Sequence, residues 1–367
     1  MHTPSQAPQR RPTRTVRIGP IGIGGDNPVR VQSMANTDTR DVAATLAQIA
    51  ALAEAGCEIV RLAVPDEAAA AALAAIRAAT GVPLVADIHF DHRLAVAALE
   101  AGVDALRINP GNIGSEATVD TVVAAAKAHG APIRIGVNSG SVQKDLLRKY
   151  GGPTAEAMVE SALTHIALLE KRGFGDIKVS LKSSSVLRTV AAYRLLAEKV
   201  DYPLHIGVTE AGTPMRGAVK SAVGLGILLA EGIGDTLRVS LTGDPVTEIG
   251  VAYEILRSLE LRSRGPEIIS CPTCGRTEID LVGLAEAVEE RLRGVTETFT
   301  VAVMGCVVNG PGEAREADIG IAGGRDCGII FRKGEVLGKV RGAANLIPAF
   351  MDELERYIIE RKESPCD

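Results

Sequence analysis

Two short stretches in the last third of the chain carry three cysteines that could bind a metal. ISCPTCGRTE contains Cys271 and Cys274, and VMGCVVNGPGEA contains Cys306. A C-x-x-C pair is typical of one half of a zinc ribbon, but no second pair follows at the usual spacing. Three thiolates on Gly- and Pro-rich loops also suit an iron–sulfur cluster, in which one iron can have a different ligand. The stretches therefore predict a metal site whose fourth ligand is open.

Two residues are candidates for that fourth ligand. Cys327 lies in GGRDCGII, and Glu313 lies in GPGEA, seven residues after Cys306. A thiolate is the softer donor, so metal chemistry alone favours Cys327. The other two cysteines have no such context, and we expect Cys57 to be a buried small hydrophobe and Cys366 to be a thiol of an unstructured tail.

A repeated pattern of basic residues in the first two-thirds of the chain could bind an anion. Short β-branched runs carry a basic residue two positions before a small or polar one, as in RIGVN, KVSLK and RVSLT. Successive residues of a strand point to opposite sides, so the two residues share one face. The residues on these faces that we single out as ligand-binding are Arg61, Arg107, Arg134, Asn138, Lys178, Lys182, His205, Arg238 and Ser240.

If these faces point toward one cavity, six cationic side chains converge there. Buried charges without partners are costly, so such a cluster predicts a polyanionic ligand, and arginine forks and lysine ammonium groups suit phosphate oxygens. The loop PGNIGSE could add backbone N–H groups. In the alternative interpretation, the charged side chains lie on outward faces and reach solvent between helices.

Two carboxylates accompany the basic residues. Asp87 and Glu210 could act as general acids or bases at the ligand, because a carboxyl group in a closed site can have its pKa raised toward neutrality. Alternatively, either could only neutralise a neighbouring arginine. Both remain candidate catalytic residues.

The elements that must position these residues alternate regularly along the chain. Eight β-branched runs are separated by Ala- and Leu-rich segments of helical period, several of which end in Gly. Strand and helix repeated eight times predict a TIM (β/α)8 barrel. The predicted strands are VRVQS (29–33), IVRLAV (59–64), PLVADIHF (83–90), ALRINP (105–110), IRIGVN (133–138), IKVSLK (177–182), LHIGVT (204–209) and LRVSLT (237–242).

The chain divides into three predicted parts: a disordered tail (1–14), the barrel (15–262) and a second domain (263–367). The tail is polar and Pro-rich, and TVRIGPIGIGG after it is predicted to be a hairpin that plugs the amino end of the barrel. The break RSRGPE starts the second domain. There, strands, a helix, the hairpin IIFRKGEVLGKV and a last helix predict a small α/β layer.

Composition excludes several classes of function. The formal net charge of −5 and an aromatic content of 3 % argue against a basic nucleic-acid surface and against stacking platforms for single strands. The longest apolar runs are too short or too charged for a membrane span. Six cysteines without an export signal indicate reduced thiols, so we expect a cytoplasmic protein.

Together, these motifs resemble a known family. The stretches VRLAVPD, ADIHF, LRINPGNIG, IRIGVNSGS, VSLKSS, HIGVTEAG, LRVSLTGDP, CPTCGR and GCVVNGPGEA are similar to those of the bacterial 4-hydroxy-3-methylbut-2-enyl diphosphate synthases of the methylerythritol phosphate pathway. The resemblance extends over all but residues 1–14 and the last few. It implies a barrel joined to a 4Fe-4S domain, which reductively opens the ring of 2-C-methyl-D-erythritol 2,4-cyclodiphosphate and removes water with two electrons.

The resemblance also implies roles for individual residues. It makes Cys271, Cys274, Cys306 and Glu313 the cluster ligands, and a carboxylate is displaced from iron more easily than a thiolate. Glu210, in the TEAG motif, is implied to help protonate the leaving hydroxyl. Cys327 is then structural.

The resemblance implies partners as well. It points to ferredoxin or flavodoxin as the electron donor. It also implies a homodimer, in which the cluster domain of one subunit covers the barrel of the other.

Two rival functions remain at this point. A phosphosugar-type aldolase could form a Schiff base on Lys178 or Lys182, but it leaves the three cysteines unused. A zinc-stabilised binding protein would need a complete set of zinc ligands, which the chain does not readily supply.

Overall fold

Two units make up the chain, divided between Arg262 and Ser263. The computed structural model describes residues 8–109, 113, 115–306 and 316–363. Glu313, Cys366 and most of the loop 110–114 lie outside the described residues. Each unit has a hydrophobic core of its own.

The first unit is a parallel β/α barrel with a hairpin at its amino end. Eight of its strands form one sheet, in the order β8-β7-β6-β5-β4-β3-β10-β9, and an isolated parallel bridge between Val179 and Leu204 joins the two ends of that order. The predicted barrel is confirmed. The strands are β1 (Val16–Ile18), β2 (Ile21–Ile23), β3 (Arg30–Met34), β4 (Ile59–Ala63), β5 (Leu84–Asp87), β6 (Ala105–Ile108), β7 (Ile133–Asn138), β8 (Ile177–Lys182), β9 (His205–Ile206) and β10 (Thr236–Leu237).

Helices follow the strands and cover the outside of the barrel. Several begin at an aspartate that accepts a hydrogen bond from the first turn, as Asp41, Asp66 and Asp244 do, and three end at a left-handed glycine, Gly56, Gly130 and Gly151. These helices are α1 (Val42–Ala55), α2 (Glu67–Ala79), α3 (His92–Glu100), α4 (Glu116–His129), α5 (Lys144–Tyr150), α6 (Ala155–Glu170), α7 (Val186–Ala197), α8 (Pro214–Ala230) and α9 (Pro245–Arg257).

The hairpin of β1 and β2 covers the amino end of the barrel. Ile18 and Ile23 are almost fully buried and pack with Ile59, Val85 and Ala105, which lie near the starts of β4, β5 and β6. Burying these apolar side chains against each other stabilises the closed end. The predicted plug is confirmed.

The last two barrel strands are shorter than predicted. The runs 204–209 and 237–242 contribute only His205–Ile206 and Thr236–Leu237 to the sheet. Beyond them the backbone finds other partners, because Leu241 N donates to the Glu248 carboxylate at 3.0 Å and Thr242 N donates to the Gly212 carbonyl at 2.9 Å. The carboxyl ends of these two strands are therefore loops.

Residues 8–14 lie against the barrel, unlike the predicted disordered tail. The Arg11 guanidinium donates to the carbonyl oxygens of Ala197 at 3.1 Å and Tyr202 at 2.7 Å, and also to that of Val200. These carbonyls lie at and after the end of α7, where helices leave acceptors unsatisfied. A polar, Pro-rich segment is thus held by a tertiary contact that its composition does not indicate.

The second unit is a five-stranded sheet with two helices. Its strands β11, β12 and β13 are parallel, and β14 and β15 add an antiparallel hairpin, as predicted. The elements are β11 (Glu267–Ser270), α10 (Leu281–Leu292), β12 (Thr300–Met304), β13 (Ile319–Gly324), β14 (Cys327–Arg332), β15 (Glu335–Arg341) and α11 (Ala343–Glu363). Across the described parts of both units, no helix has the length and apolar character that crossing a membrane requires.

Candidate functional site

Four charged residues stand side by side on four adjacent barrel strands. Asp87 is in register with Arg107, Arg107 with Arg134, and Arg134 with Lys178. Their relative exposures are 4 %, 7 %, 3 % and 2 %, respectively. Arg134 and Lys178 line a small cavity together with Val16 and Ile18 of the plug hairpin, so this row lies inside the barrel. The charged side chains of this row therefore point into the barrel and not outward between the helices.

Asp87 lies between two arginines. Its Oδ1 accepts a hydrogen bond from Arg107 Nη1 at 3.0 Å, its Oδ2 is 3.5 Å from Arg61 Nε, and His89 Nε2 is 3.6 Å from Oδ1. Burial by itself raises the pKa of this carboxyl, but Arg61, the contact with His89 and Arg107 together hold the pKa of Asp87 well below its usual range. Asp87 is therefore ionised at neutral pH.

Arg134 has more donors than partners. Its Nη1 donates to Ser180 Oγ at 2.7 Å, whereas Nε and Nη2 are buried without a hydrogen-bond partner among the described residues. Burial, Arg61 and Arg107 lower the pKa of Arg134, yet a guanidinium stays protonated in proteins because its ordinary pKa is so high. Since no described residue accepts from these donors, a bound anion or water would satisfy them.

The two lysines of β8 differ from Arg134 in this respect. Burial, and after it the charge of Arg134, lowers the pKa of Lys178 and of Lys182 well below the usual value. Lys178 Nζ has no hydrogen-bond partner within the described structure. A buried lysine can lose its proton and avoid the cost of a charge, which an arginine cannot do. The two lysines can therefore be neutral in the absence of an anion and become protonated when an anion binds.

The small residues of the repeated pattern make room for the cations. A Cβ added at Gly136 would lie 2.6 Å from Arg107 Nε, and one added at Gly207 would lie 2.7 Å from Lys182 Nζ. Such distances are shorter than van der Waals contact, so a larger residue would displace the cation. Ser180 serves in the same pattern as a hydrogen-bond acceptor for Arg134. The pattern noted in the sequence thus has a steric cause.

Sequence reasoning missed two residues that contact the arginines, Met34 at the end of β3 and Glu248 on α9. The Met34 sulfur is 2.9 Å from Arg61 Nη2 and 3.5 Å from Arg238 Nη1. Glu248, on α9 and 3 % exposed, accepts from Arg238 Nε at 3.2 Å and Nη2 at 3.3 Å. An acid in the first turn of a helix is ordinary, so Glu248 gave no signal in the sequence. Met34 lies one residue past the predicted strand 29–33, and continuing that strand by one residue would have included it.

Glu210 is exposed in the loop that follows β9 (His205–Ile206). Its φ is +52°, a left-handed conformation that costs a non-glycine residue about 1 kcal/mol or more. Strain of this kind is concentrated at functional sites. The acidic partner of Arg238 is thus Glu248 and not Glu210.

The remaining predicted site residues lie around the same end or inside the barrel. His205 is fully buried, with Nδ1 2.8 Å from Thr236 Oγ1 and Nε2 without a partner among the described residues. Burial, then Lys182, lowers the pKa of His205 well below 6.5, so the ring is neutral at pH 7. Asn138 ends β7 and its N–H donates to Ser141 Oγ at 3.0 Å. Ser240 is half-buried in the loop after β10.

Charge does not balance at this site. Four arginines, Arg61, Arg107, Arg134 and Arg238, face two carboxylates in contact with them, Asp87 and Glu248. Buried excess charge of one sign costs several kcal/mol unless a counter-charge is bound. The arrangement can therefore hold a small molecule with about two negative charges, as a diphosphate has.

The cysteines of the second unit lie at the carboxyl ends of adjacent parallel strands. Cys271 directly follows β11, and Cys306 comes two residues after β12. Gly305 N donates to Cys271 Sγ at 3.1 Å, so this sulfur lies against the residue that precedes Cys306. Cys274 is exposed on a turn that is closed by Thr277, whose Oγ1 accepts from Cys274 N at 3.1 Å. We call Cys271, Cys274 and Cys306 the cysteine edge.

Cys327, the rival fourth ligand, begins β14 and pairs with Gly324 at the end of β13. It is therefore at the same edge of the sheet, but two strands from β12, or about 10 Å. Glu313 lies outside the described residues. Within those residues, no three Cys, His, Asp or Glu side chains form a ready-made metal site.

Comparisons with known proteins match both units. The family model described as "GcpE TIM-barrel domain" matches residues 13–253, and that described as "GcpE protein C-terminal domain" matches residues 267–356. The matched ranges fall on either side of the division between the units.

Two curated relatives are similar over nearly the whole chain. One from Maridesulfovibrio salexigens is 72 % identical over 96 % of this chain and 99 % of its own length. One from Nitratidesulfovibrio vulgaris is 70 % identical over 100 % of this chain and 96 % of its own length. Both are named 4-hydroxy-3-methylbut-2-en-1-yl diphosphate synthase (flavodoxin).

Solved structures resemble the barrel alone. A dihydropteroate synthase from Stenotrophomonas maltophilia superposes with a TM-score of 0.50 at 15 % identity, covering 68 % of this chain and 98 % of that one. At this identity the likeness concerns the fold.

The buried amino group of Lys178, which has no hydrogen-bond partner among the described residues, predicts a stability effect with a defined pH dependence. The pKa of Lys178 in the folded state is below its ordinary value of 10.5. Below pH 10.5, Lys178 is therefore protonated more readily in the unfolded chain than in the folded barrel. Stability is therefore lost as the pH falls. We expect Lys178→Met to raise the free energy of unfolding by about 1–3 kcal/mol at pH 7, with a gain that shrinks toward pH 10.

Urea unfolding of both proteins between pH 7 and pH 10 measures this difference. Lys144→Met, which changes an exposed lysine, is the control and should show no pH-dependent difference from the wild type. If the free energy of unfolding of Lys178→Met changed with pH in parallel with that of the wild type, the lowered pKa of Lys178 would be contradicted.

Proposed function

The chain belongs to the GcpE family, and we infer from this membership that it converts 2-C-methyl-D-erythritol 2,4-cyclodiphosphate into 4-hydroxy-3-methylbut-2-enyl diphosphate. The conversion opens the ring and removes one oxygen as water, and it consumes two electrons and two protons. It is a step in the methylerythritol phosphate pathway to isoprenoid precursors. The chain is thus an oxidoreductase.

One observation in the barrel carries the assignment to a diphosphate substrate. Arg134 Nε and Nη2, Arg107 Nε and Lys178 Nζ are buried polar atoms without hydrogen-bond partners in the described structure. An unsatisfied buried donor costs about 1–3 kcal/mol, and more if it is charged. A bound diphosphate would accept these hydrogen bonds and neutralise the excess charge. Because binding removes the cost of the unsatisfied donors, it would be favourable.

The barrel residues have distinct parts in this proposal. The cations Arg61, Arg107, Arg134, Lys178, Lys182 and Arg238 bind the diphosphate, with Asn138, His205 and Ser240 as neutral hydrogen-bonding groups. Asp87 holds Arg61 and Arg107 in place and, being ionised, is not a proton donor. Glu210 is exposed beyond β9 and has a left-handed backbone, and the family resemblance ties its TEAG motif to the leaving hydroxyl, so it is the carboxyl group we assign to proton delivery there.

We assign a 4Fe-4S cluster to the cysteine edge, with Cys271, Cys274, Cys306 and Glu313 as ligands. The residues present fit such a group: Cys271 and Cys306 follow neighbouring strands, and the backbone N–H of Gly305 donates to the Cys271 sulfur. Hydrogen bonds to cysteine sulfurs are one means by which proteins set cluster potentials. When bound, the cluster would supply the electrons one at a time and a Lewis acid for the departing oxygen.

Flavodoxin is the electron donor we propose, because the names of the relatives from Maridesulfovibrio salexigens and Nitratidesulfovibrio vulgaris specify it. Ferredoxin performs the same one-electron chemistry and is the alternative. The homodimer implied by the family resemblance remains a prediction.

A turnover assay tests the proposed function. Protein purified without oxygen should absorb broadly near roughly 400 nm, contain iron and acid-labile sulfide, and form 4-hydroxy-3-methylbut-2-enyl diphosphate when given the cyclic diphosphate and reduced flavodoxin. Borohydride should trap no substrate on Lys178 or Lys182. A colourless, metal-free preparation that is trapped by borohydride would instead indicate the aldolase.

The fourth ligand is tested by a pair of variants. We expect Glu313→Ala to lower the iron content and change the visible spectrum, because one iron loses its protein ligand. Cys327→Ser should leave both unchanged, since Cys327 starts a strand two positions away in the sheet. The opposite pattern, with loss of iron in Cys327→Ser alone, would overturn this ligand set.

Proton delivery is tested by Glu210→Gln, which keeps the size of the side chain and removes the exchangeable carboxyl proton. Turnover should fall about 10²–10⁴-fold, while the affinity for the diphosphate product and the melting temperature stay close to wild type. Glu231→Gln, at an exposed ion pair with Arg194, is the control and should retain activity. Turnover near wild type in Glu210→Gln would remove Glu210 from the mechanism.

A further inference from the structure

Glu248 connects three elements at the carboxyl end of the barrel. Its carboxylate, on α9, accepts hydrogen bonds from Ser33 Oγ on β3 at 2.8 Å and from Leu241 N in the loop after β10 at 3.0 Å. The same carboxylate binds Arg238 through Nε and Nη2. Glu248 is 3 % exposed, so water does not compete for these bonds.

The contact with Arg238 uses one particular edge of the guanidinium. Glu248 occupies Nε at 3.2 Å and Nη2 at 3.3 Å, which is the side edge of the fork. Among the described residues, the one hydrogen-bond partner of Nη1 is the Met34 sulfur at 3.5 Å, and a thioether is a weak acceptor. The end edge formed by Nη1 and the second hydrogen of Nη2 therefore remains available for a diphosphate oxygen.

We propose that Glu248 is a positioning residue for substrate binding, which acts by fixing the Arg238 guanidinium with its end edge toward the diphosphate. The inference rests on the proposed function, because it takes Arg238 as a diphosphate ligand. Arginine loses rotamer entropy when it binds, and a side chain that is already held in place loses less. Ser33 and Leu241 in turn fix the carboxylate.

Electrostatics alone predicts the opposite result, which makes the proposal testable. Glu248 is a negative charge beside a site for an anion, so removing it should strengthen diphosphate binding if charge were all that mattered. If Glu248 orients Arg238, removing its charge should weaken diphosphate binding. A purely structural role would lower stability and leave the affinity of the folded protein unchanged.

The test is the change Glu248→Gln in the anaerobically prepared holoenzyme. Glutamine keeps an acceptor oxygen for Leu241 N and removes the charge that holds Arg238. We expect the Kd for 4-hydroxy-3-methylbut-2-enyl diphosphate and for inorganic pyrophosphate, measured by calorimetry, to rise about tenfold. KM should rise by a similar factor, while kcat changes less than about twofold.

Glu58→Gln is the matched control. Glu58 also binds a backbone N–H, that of Val31 at 2.8 Å, and two arginines, Arg30 and Arg262, but at the amino end of the barrel. It should lose stability as Glu248→Gln does and keep the wild-type Kd. Arg238→Met should weaken binding, and adding Glu248→Gln to it should weaken binding no further.

Unchanged or tighter binding in Glu248→Gln would overturn the inference and leave the proposed function standing. Additive losses in the double variant would also overturn it, since Glu248 would then act independently of Arg238. If the wild type bound neither pyrophosphate nor the diphosphate product, the proposed function would fail, and this inference with it.

Discussion

Repulsion between buried cations is the constraint on which the rest of the barrel depends. Arg61 and Arg107 disfavour the charge of Arg134, and Arg107 and Arg238 disfavour that of Arg61. Among the described residues, Asp87 and Glu248 are the carboxylates that oppose these charges directly. The lysines relieve part of the cost by a lowered pKa, and the arginines cannot. A hydrophobic lumen of the usual kind would be more stable. The barrel thus trades stability for an anion site.

Both units place their reactive groups by the same structural rule. In the barrel, Arg238, Ser240 and Glu210 lie at or just beyond the carboxyl ends of parallel strands. In the second unit, Cys271 and Cys306 follow two parallel strands at the same kind of edge. The loops at that edge of a parallel sheet are free to vary without disturbing the ladder, which is why binding groups accumulate there. Each unit therefore presents reactive groups at this edge, and in the barrel the buried charged row of Asp87, Arg107, Arg134 and Lys178 adds to them from within the strands.

The sequence predicted those features that depend on local periodicity. Alternation along β7 and β8 identified the inward faces, including Arg134, Ser180 and Lys182, because strand geometry fixes which residues share a face. It could not identify Glu248, which resembles any first-turn acid, nor the anchoring of Arg11, which depends on carbonyls almost two hundred residues away. The short β9 and β10 were also unpredictable, since their ends are set by Leu241 and Thr242 finding other acceptors. Tertiary partners decide each of these cases.

The hairpin of β1 and β2 restricts how substrate enters the barrel and how product leaves it. Ile18 and Ile23 pack across the amino end and close it to molecules that bind among the cations, so the open end for such molecules is the carboxyl end, where the loops after the strands lie. Product and substrate both keep a diphosphate, so the product must leave through the opening by which the next substrate arrives. Product must therefore dissociate before the next substrate can bind. The cations that give affinity for the diphosphate of the substrate also slow the release of the product.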